Sequence, residues 1–305
     1  MTLPDSTLSP TRARLYVLAA ALLWSTGGAF AKVLTQDTFF GFNEPALQGY
    51  ALAGYEFPVQ IACYRSFFAG MLLVPTLRPR QLRFHGLMVV MAIFFAIMSI
   101  TFLSAQALGT AANAILLQYS APLWVYLAGI FWLGEKPDRR STIAMWLGLV
   151  GIGIIVGGGW QEGQLPIVII ALVSGVTYGG VMVCLSLLRD VSSPWLVVWN
   201  HLWSGLVLLP FVLSLTPPSA TQMIVLLVYG CLQMGLPYFL LARGLRVVSA
   251  QEAGTITLLE PLLNPLWAYL VSPKTETPPW STYVGGAIIL ATLAWRYWPR
   301  RAEPV

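Results

Sequence analysis

The stretch from Gly109 to Arg140, GTAANAILLQYSAPLWVYLAGIFWLGEKPDRR, decides the fold of this chain. It is an apolar segment of membrane-spanning length, since a spanning helix needs about 20 mostly apolar residues. Polar residues and a proline interrupt its interior, and a group of charged residues closes one end. A second version of it lies near the C-terminus, because Thr110 to Pro122 aligns without gaps with Ser249 to Pro261. We infer that the chain contains an internal duplication.

The composition is typical of a membrane protein that crosses the bilayer many times. Of the 305 residues, 57% are hydrophobic and 10% are charged, whereas a soluble domain has about 45–50% apolar and about 25% charged residues. The sequence predicts an all-α polytopic fold of ten transmembrane helices in two five-helix repeats, residues 1–160 and 161–305. The predicted helices are Leu15 to Leu34, Pro58 to Leu77, Phe84 to Gln106, Thr110 to Leu133, Ser141 to Gly158, Leu165 to Leu187, Trp195 to Leu215, Thr221 to Leu241, Ala250 to Val271 and Trp280 to Trp298.

Positive charges predict the orientation of these helices. Lysine and arginine accumulate in loops that stay in the cytoplasm. Here they occupy every alternate connection and both ends: Arg12, Arg14, Arg78, Arg80, Arg83, Lys136, Arg139, Arg140, Arg189, Arg243, Arg246, Arg296, Arg300 and Arg301. Both termini are therefore predicted to be cytoplasmic, and the basic balance does not require a nucleic-acid partner. Because five helices is an odd number, the second repeat is inverted relative to the first, an arrangement that places substrate sites near the midplane of carriers.

One connection is longer than the others. Residues 36–57, QDTFFGFNEPALQGYALAGYEF, are rich in aromatic residues and contain three acidic residues but no basic one. We expect an interfacial loop, because aromatic rings favour the headgroup region. The alternative is a lid over a vestibule.

No cofactor, metal site or disulfide is expected. Cys63, Cys184 and Cys231 all lie in apolar segments, and no spacing among them or with His85 and His201 matches a metal-binding motif.

Charged residues within the predicted helices mark candidate functional positions, because a charge in hydrocarbon costs at least about 2.5–3.5 kcal/mol. Arg65 cannot lose its proton and needs an acceptor, which is either a structural partner or an anionic group of a substrate. Glu260 is either a neutral, hydrogen-bonded side chain or a carrier of protons. Lys32 is either an interfacial anchor or part of a site, and His201 is a further buried candidate.

Weaker polar signals recur at helical spacing and predict one polar cavity at mid-depth. Thr257, Glu260 and Asn264 form a stripe on the ninth helix. Pro122, Pro261 and Pro265 predict kinks that free backbone carbonyls. Small polar residues also serve as packing contacts between helices, and aromatic residues often face lipid or the core. The candidate substrate-binding residues are Trp24, Ser25, Arg65, Gln118, Tyr119, Tyr178, Gln233, Glu260 and Asn264.

Several of these residues belong to a recognisable pattern. It consists of Leu23-Trp24-Ser25 with Lys32, Arg65, the run from Ala111 to Trp124, Leu133-Gly134-Glu135-Lys136, and Leu259-Glu260-Pro261. With these residues the chain resembles the EamA-type branch of the drug/metabolite transporter superfamily. The resemblance implies a carrier in the cell inner membrane, often an exporter of amino acids or related compounds, with a central cavity built from both repeats. The long first connection departs from the pattern, as does Ser272-Pro273-Lys274, which replaces the Gly-Glu that follows the fourth helix.

The function predicted from the sequence is alternating-access transport of a small polar or amphipathic metabolite. A channel-like facilitator is one alternative. A membrane-embedded enzyme is another, but its acidic residues and two histidines would be scattered over distant segments. The expected partners are the substrate and membrane lipids, with proton coupling as an open alternative. The sequence fits a monomer or a homodimer equally well.

Overall fold

The computed structural model describes residues 8–298, apart from 37, 39–46, 48, 53 and the side chains of Ala250 and Gln251. These residues form a nearly all-helical bundle. The helices are α1 (Pro10–Ser25), α2 (Gly27–Thr35), α3 (Val59–Leu73), α4 (Leu87–Leu108), α5 (Ala111–Gln118), α6 (Ala121–Phe131), α7 (Arg139–Gln161), α8 (Leu165–Leu187), α9 (Ser193–Val212), α10 (Ala220–Val228), α11 (Leu236–Gly244), α12 (Ala250–Thr257), α13 (Leu259–Val271) and α14 (Trp280–Tyr297). Short 3₁₀ turns follow α3, and a π-helical segment, Tyr229–Gly235, joins α10 to α11.

Helix occupies most of every predicted segment. Within the described residues, seven helical segments are long and apolar enough to cross a membrane. The predicted segments 58–77, 250–271 and 280–298 are not among them. The helix in the first of these, α3, has only 15 residues, and the other two contain more polar residues. The structure therefore supports a multi-pass membrane protein whose helices follow the predicted pattern.

The duplicated segments break at equivalent positions. The fourth predicted helix divides into α5 and α6 at Tyr119, and the ninth divides into α12 and α13 at Leu258, the residue that aligns with Tyr119. Each break lies three residues before an aligned proline, Pro122 or Pro261. A proline has no N–H for the carbonyl four residues earlier, so each helix loses one hydrogen bond there.

The same two segments also begin alike. The Thr110 hydroxyl caps α5 by accepting the Asn113 N–H at 3.3 Å, and the Ser249 hydroxyl caps α12 by accepting the Glu252 N–H at 3.2 Å. The aligned sequences thus produce the same N-terminal cap and the same break in both segments.

The two halves contact each other through equivalent helices. Helix α3 packs against α9, and each is the second segment of its half. Likewise α7 packs against α14, the last segment of each half. Helix α1 packs against α11, and α8 packs against α4. In both contacts a helix from the first segment of one half meets a helix from the third segment of the other half. The bundle is therefore built from two repeats related by an approximate twofold arrangement.

A β-hairpin is the exception to the predicted all-α fold. Strands β1 (Tyr50–Leu52) and β2 (Tyr55–Phe57) pair antiparallel with Tyr50 opposite Phe57. Gly54 adopts a φ of 82° in the turn, a conformation that glycine reaches without strain. The Tyr50 ring lies 5.3 Å from that of Phe211 on α9. Much of the 36–57 connection, including Asp37 and Glu44, lies outside the described residues.

Candidate substrate site

A break in the first membrane segment places two backbone carbonyls next to side chains of the other repeat. Helix α1 ends at Ser25 and α2 begins at Gly27, without a proline between them. The Trp24 carbonyl accepts a hydrogen bond from Gln233 Nε2 at 2.9 Å, and the Gly27 carbonyl accepts one from the Tyr229 hydroxyl at 3.0 Å. Side chains of the other repeat therefore form hydrogen bonds with the backbone on both sides of the break.

Glycine is required at this break by close approach. A Cβ atom on Gly27 would lie 2.8 Å from Gln233 Nε2, and one on Gly28 would lie 2.5 Å from Asn264 Oδ1. Both distances are shorter than van der Waals contact, so a side chain at either position would displace the amides.

Arg65 on α3 forms the positive centre of the site. Its side chain is buried, with 2% exposure. Nη1 donates to the Tyr229 hydroxyl at 3.2 Å and Nη2 donates to Ser99 Oγ at 3.0 Å, while the guanidinium lies 5.1 Å from the centre of the Tyr229 ring. No carboxylate of the described residues lies within 4.0 Å of it. Arg65 thus has neutral partners and an uncompensated charge in a buried position.

Three buried amides form a second group, which we call the amide cluster: Gln106 on α4, Gln233 in the π-helical segment and Asn264 on α13. Gln106 Nε2 donates to Asn264 Oδ1 at 3.4 Å. Gln106 Oε1, Gln233 Oε1 and Asn264 Nδ2 have no hydrogen-bond partner among the described residues. A buried polar atom without a partner costs about 1–3 kcal/mol, so these atoms offer hydrogen bonds to a polar ligand.

Glu260 lies beside the break in the ninth segment and faces tyrosines. Its Oε2 atom lies 2.8 Å from the Tyr119 hydroxyl, which also lies 3.0 Å from the Thr257 carbonyl oxygen. Tyr178 on α8 and Tyr238 on α11 are close enough to interact electrostatically with Glu260. Tyr238 also contacts the Trp24 ring edge-on at 5.1 Å. It therefore connects the surroundings of Glu260 to the break in the first segment.

The structure brings most of the predicted residues into two adjoining groups. Trp24, Ser25, Arg65, Gln233 and Asn264 surround the break in the first segment, where Ser25 Oγ accepts the Trp267 Nε1–H at 3.0 Å. Tyr119, Tyr178 and Glu260 surround the break in the ninth segment. Gln118, the last residue of α5, is buried, and its Cα faces Gly175 of α8.

Several residues of the site are absent from the list of candidate substrate-binding residues. The spacing of Tyr229, Gln233 and Pro237 places them on one helix face and indicates a polar stripe, but only Gln233 of the three is among the candidates. Ser99 and Tyr238 gave no signal, because single hydroxyls in apolar helices are common. His201, a buried candidate in the sequence, packs between the rings of Phe95 and Tyr238 at 4.8 and 5.2 Å.

Lys32 is not an interfacial anchor but half of a buried ion pair. Its Nζ lies 2.8 Å from Glu276 Oε1 and donates to the Gly109 carbonyl at 2.7 Å, and both side chains are almost fully buried. Glu276 Oε2 accepts the Ala111 N–H at 2.9 Å, at the N-terminus of α5. Burial raises the pKa of Glu276, while Lys32 and the Ala111 N–H act in the opposite direction. We call this group the Lys32 latch; it joins the end of α2 to the α4–α5 and α13–α14 connections.

At the other end of the bundle the described residues form an exposed ion pair, and Arg140 of α7 donates to the Trp298 carbonyl at 3.0 Å. Arg14 on α1 pairs with Glu252 on α12 at 2.6 Å, but the two side chains are 57% and 38% exposed. A narrow cleft of about 30 Å³ opens between α6, α7 and α14 on this side. Its lining includes Tyr119 and Ser120 at one end and Ser141 and Arg296 at the other.

Residues 45–157 and 165–297 each match the sequence model of the EamA-like transporter family. The chain belongs to the EamA-like transporter family. The family model matches twice in succession, as expected for a chain with an internal duplication. The predicted resemblance to the EamA branch of the drug/metabolite transporter superfamily is confirmed. The protein is thus a transporter and a multi-pass membrane protein.

The chain is also similar to two other proteins. An uncharacterized transporter of Archaeoglobus fulgidus is 27% identical over 242 residues, which cover 78% of this chain and 87% of that protein. A solved crystal structure superposes with a TM-score of 0.61 and 18% identity, and covers 94% of this chain and 98% of its own. At that identity the likeness supports the fold alone.

Proposed function

We propose that this EamA-family transporter is an alternating-access secondary carrier that exports or exchanges small metabolites bearing a carboxylate, with amino acids as the first class to test. In this proposal the chain has ten transmembrane helices in two inverted five-helix repeats, residues 1–160 and 161–305, and both termini lie in the cytoplasm next to the cell inner membrane. The alternating basic connections support this orientation.

The observation that carries the proposal is the uncompensated charge of Arg65. A buried guanidinium with only neutral partners is costly, and a carboxylate can accept two parallel hydrogen bonds from its planar fork. Arg65 Nε has no hydrogen-bond partner among the described residues, so part of the fork is available. A substrate carboxylate at this position would complete the site.

The remaining candidate residues have roles that follow from their chemistry. The amide cluster can bind donor and acceptor groups of the substrate, such as an α-amino group. Trp24 and the tyrosines can cover its apolar part. The proposed substrate-binding residues are Trp24, Ser25, Arg65, Gln118, Tyr119, Tyr178, Gln233, Glu260 and Asn264.

The unequal ends of the bundle support alternating access. Under the proposed orientation the Lys32 latch closes the outer end, since α2 ends and α5 begins there. The cytoplasmic end has an exposed ion pair and the cleft beside Arg296. A carrier needs one end closed while the other opens, and a buried ion pair is a contact with two distinct states, made or broken.

Counterflow in proteoliposomes tests the proposal. Vesicles preloaded with amino acids, sugars, nucleosides or organic cations are assayed for uptake of the same labelled compound. We expect saturable counterflow with an amino acid. Failure of every compound to exchange would refute the carrier, and ionic currents without saturation would establish a channel instead.

Arg65 variants test the carboxylate. Arg65→Lys keeps the charge but loses the two-pronged geometry, so we expect the KM for an amino acid to rise about tenfold, equivalent to about 1.4 kcal/mol. The KM for its methyl ester, which lacks the carboxylate, should change much less. Arg243→Gln is the matched control, because Arg243 lies over the Phe239 ring at the end of α11. An equal effect of Arg65→Lys on acid and ester would refute carboxylate binding.

A further inference from the structure

The hydroxyl of Tyr119 has more acceptors than it has hydrogens. A phenolic hydroxyl donates one strong hydrogen bond, yet two oxygen atoms lie within hydrogen-bonding distance, Glu260 Oε2 at 2.8 Å and the Thr257 carbonyl at 3.0 Å. The Thr257 carbonyl can only accept. With an ionised Glu260 the two oxygens would share one hydrogen in a weaker three-centre bond, whereas a protonated Glu260 donates a second hydrogen to Tyr119 and both contacts become full hydrogen bonds.

The carbonyl of Thr257 needs this hydrogen bond. In a continuous helix it would accept the N–H of the residue four positions later, but that residue is Pro261, which has none. A carbonyl freed inside a membrane must find another partner. The Tyr119 hydroxyl is the group placed to donate to the Thr257 carbonyl, and when it does so, an ionised Glu260 faces the lone pairs of the Tyr119 oxygen.

Among the described residues no cation forms an ion pair with Glu260, and Arg65 and His201 are separated from it by Tyr238, which both of them approach. The titratable groups facing it are Tyr119, Tyr178 and Tyr238, with Tyr297 of α14 next to Tyr119 and Tyr178. The charged groups on the surrounding helices have other positions: Arg14 pairs with Glu252, Lys32 pairs with Glu276, Arg65 contacts Tyr229 and Ser99, Arg243 lies over Phe239, and Arg296 lines the cleft. No lysine, arginine or histidine of the described residues lies within 4.0 Å of the Glu260 carboxyl group.

The cleft between α6, α7 and α14 reaches the hydrogen-bond partner of this carboxyl group. Tyr119, the hydrogen-bond partner of Glu260, forms part of its wall together with Ser120, and Arg296 and Ser141 lie toward the end of the bundle. A water-filled cleft would connect Tyr119 with the side that the basic connections assign to the cytoplasm. The outer end is closed by the Lys32 latch.

We propose that Glu260 is the proton-binding site of the transporter, protonated in this conformation through its hydrogen bond to Tyr119 and reached through the cleft beside Arg296. Protonation adds one H⁺ to the Glu260 carboxylate and removes its negative charge; deprotonation returns the H⁺ to water. One proton then moves per transport cycle, and Tyr119 positions the acid. This inference rests on the proposed carrier function, and the two are tested by separate measurements.

Infrared spectroscopy of the purified protein tests the protonation state without any substrate. A protonated carboxyl group gives a C=O stretch that is separate from the amide bands. We expect such a band in the wild-type protein at neutral pH, its loss in Glu260→Gln, and its shift to higher frequency in Tyr119→Phe, which removes the hydrogen bond. Glu252→Gln is the matched control, because Glu252 lies on the same broken segment but pairs with Arg14.

A wild-type spectrum without the band, or a band that Glu260→Gln leaves in place, would overturn the proposal. The Tyr119→Phe shift assigns the band to Glu260 even if Glu260→Gln fails to fold.

Proteoliposomes loaded with a labelled mixture of the standard L-amino acids test coupling. For each variant the readout is the ratio of transport with a pH gradient to transport without one, so differences in affinity cancel. One coupled proton allows up to about a tenfold concentration ratio per pH unit, because a tenfold ratio corresponds to about 1.4 kcal/mol. We expect a ratio well above one for the wild-type protein and Glu252→Gln, and a ratio of one for Glu260→Gln.

The outcomes separate the two proposals. Absence of counterflow in the wild-type protein refutes the carrier while the infrared band still decides protonation. Counterflow with a ratio of one in the wild-type protein refutes proton coupling and leaves the carrier intact.

Discussion

Breaking the Lys32 latch should destabilise the protein more than any exposed ion pair does. In Lys32→Met the Glu276 carboxylate loses its cation at a position where it is 1% exposed and keeps only the Ala111 N–H. Removing one partner of a buried pair costs about 3–5 kcal/mol, because the other charge is left uncompensated. At about 2–4 °C per kcal/mol for a large domain, the melting temperature should fall by roughly 10 °C.

The double variant Lys32→Met with Glu276→Gln should recover most of this loss. The glutamine carbonyl can still accept the Ala111 N–H, and no charge remains buried. Replacing both members of a buried pair is often close to neutral, so we expect a melting temperature near that of the wild-type protein. Arg14→Gln is the control, since it breaks an ion pair whose side chains are 57% and 38% exposed, and such pairs contribute about 0–1 kcal/mol.

The loss in Lys32→Met should also depend on pH with a defined sign. Burial raises the pKa of Glu276 above its ordinary value of 4.5, and the variant removes the lysine that opposes this shift. The folded variant then binds a proton more tightly than the unfolded chain, so its stability falls as the pH rises above the ordinary value. The deficit relative to wild type should be smaller at about pH 5.5 than at about pH 8.

Thermal unfolding of the purified protein in detergent measures all three effects. A melting temperature of Lys32→Met that equals that of Arg14→Gln would refute the latch as a stabilising contact. A double variant as unstable as the single one would show that the loss comes from the shape of the lysine rather than from the unpaired charge.

Two further predictions concern helix packing and capping. A Cβ atom on Gly151 would lie 2.8 Å from the Gly285 carbonyl oxygen, whereas one on Gly153 meets no atom within 4 Å. Gly151→Ala should therefore lower the melting temperature by the equivalent of about 1–3 kcal/mol. Equal melting temperatures of Gly151→Ala and Gly153→Ala would contradict this contact. Asp138 caps α7 by accepting the Ser141 N–H at 3.0 Å, so Asp138→Ala should cost about 0.5–2 kcal/mol in the same assay and Asp138→Asn much less. Hydrogen bonds from Ser141 hold the pKa of Asp138 below its ordinary value of 3.8, so the ionised cap stabilises the protein above that pH and its contribution is lost as the pH falls through the lower, folded-state pKa.

The helices and the duplicated breaks could be predicted because their causes are local. Apolar runs of membrane length define the segments. Thr110 and Ser249 cap two of them, and Pro122 and Pro261 each remove a backbone hydrogen bond nearby. Each of these signals is readable from neighbouring residues in the sequence.

The break in the first segment could not be predicted in this way. No proline lies between Trp24 and Gly27, and the carbonyls of these two residues accept hydrogen bonds from Gln233 and Tyr229 of the other repeat. These partners come from a π-helical segment that has no sequence signature of its own. The break is therefore fixed by tertiary contacts, which act only after the repeats have packed together.

The sequence indicated only one of the two charged residues of the Lys32 latch. Lys32 stands out as a charge in an apolar segment, but its partner lies in the α13–α14 connection, where Glu276 and Lys274 together indicate an exposed loop of mixed charge. Only the fold brings Glu276 against the end of α2 and buries it there. A sequence pattern cannot distinguish an exposed loop acid from a buried one when the burial comes from the other half of the chain.

The two repeats have diverged into complementary halves of one acid site. Tyr119 aligns with Leu258, and Glu260 aligns with Ala121, so each repeat contributes one polar member where the other has an apolar residue. The hydroxyl from the first repeat meets the carboxyl group and the freed Thr257 carbonyl of the second. An exact twofold arrangement would create two such pairs, and two acids would bind two protons. The aligned positions contain only one such pair, Tyr119 with Glu260, so the proposed stoichiometry of one proton per cycle follows from the divergence of the repeats. The break in each repeat is needed to bring Tyr119 and Glu260 together.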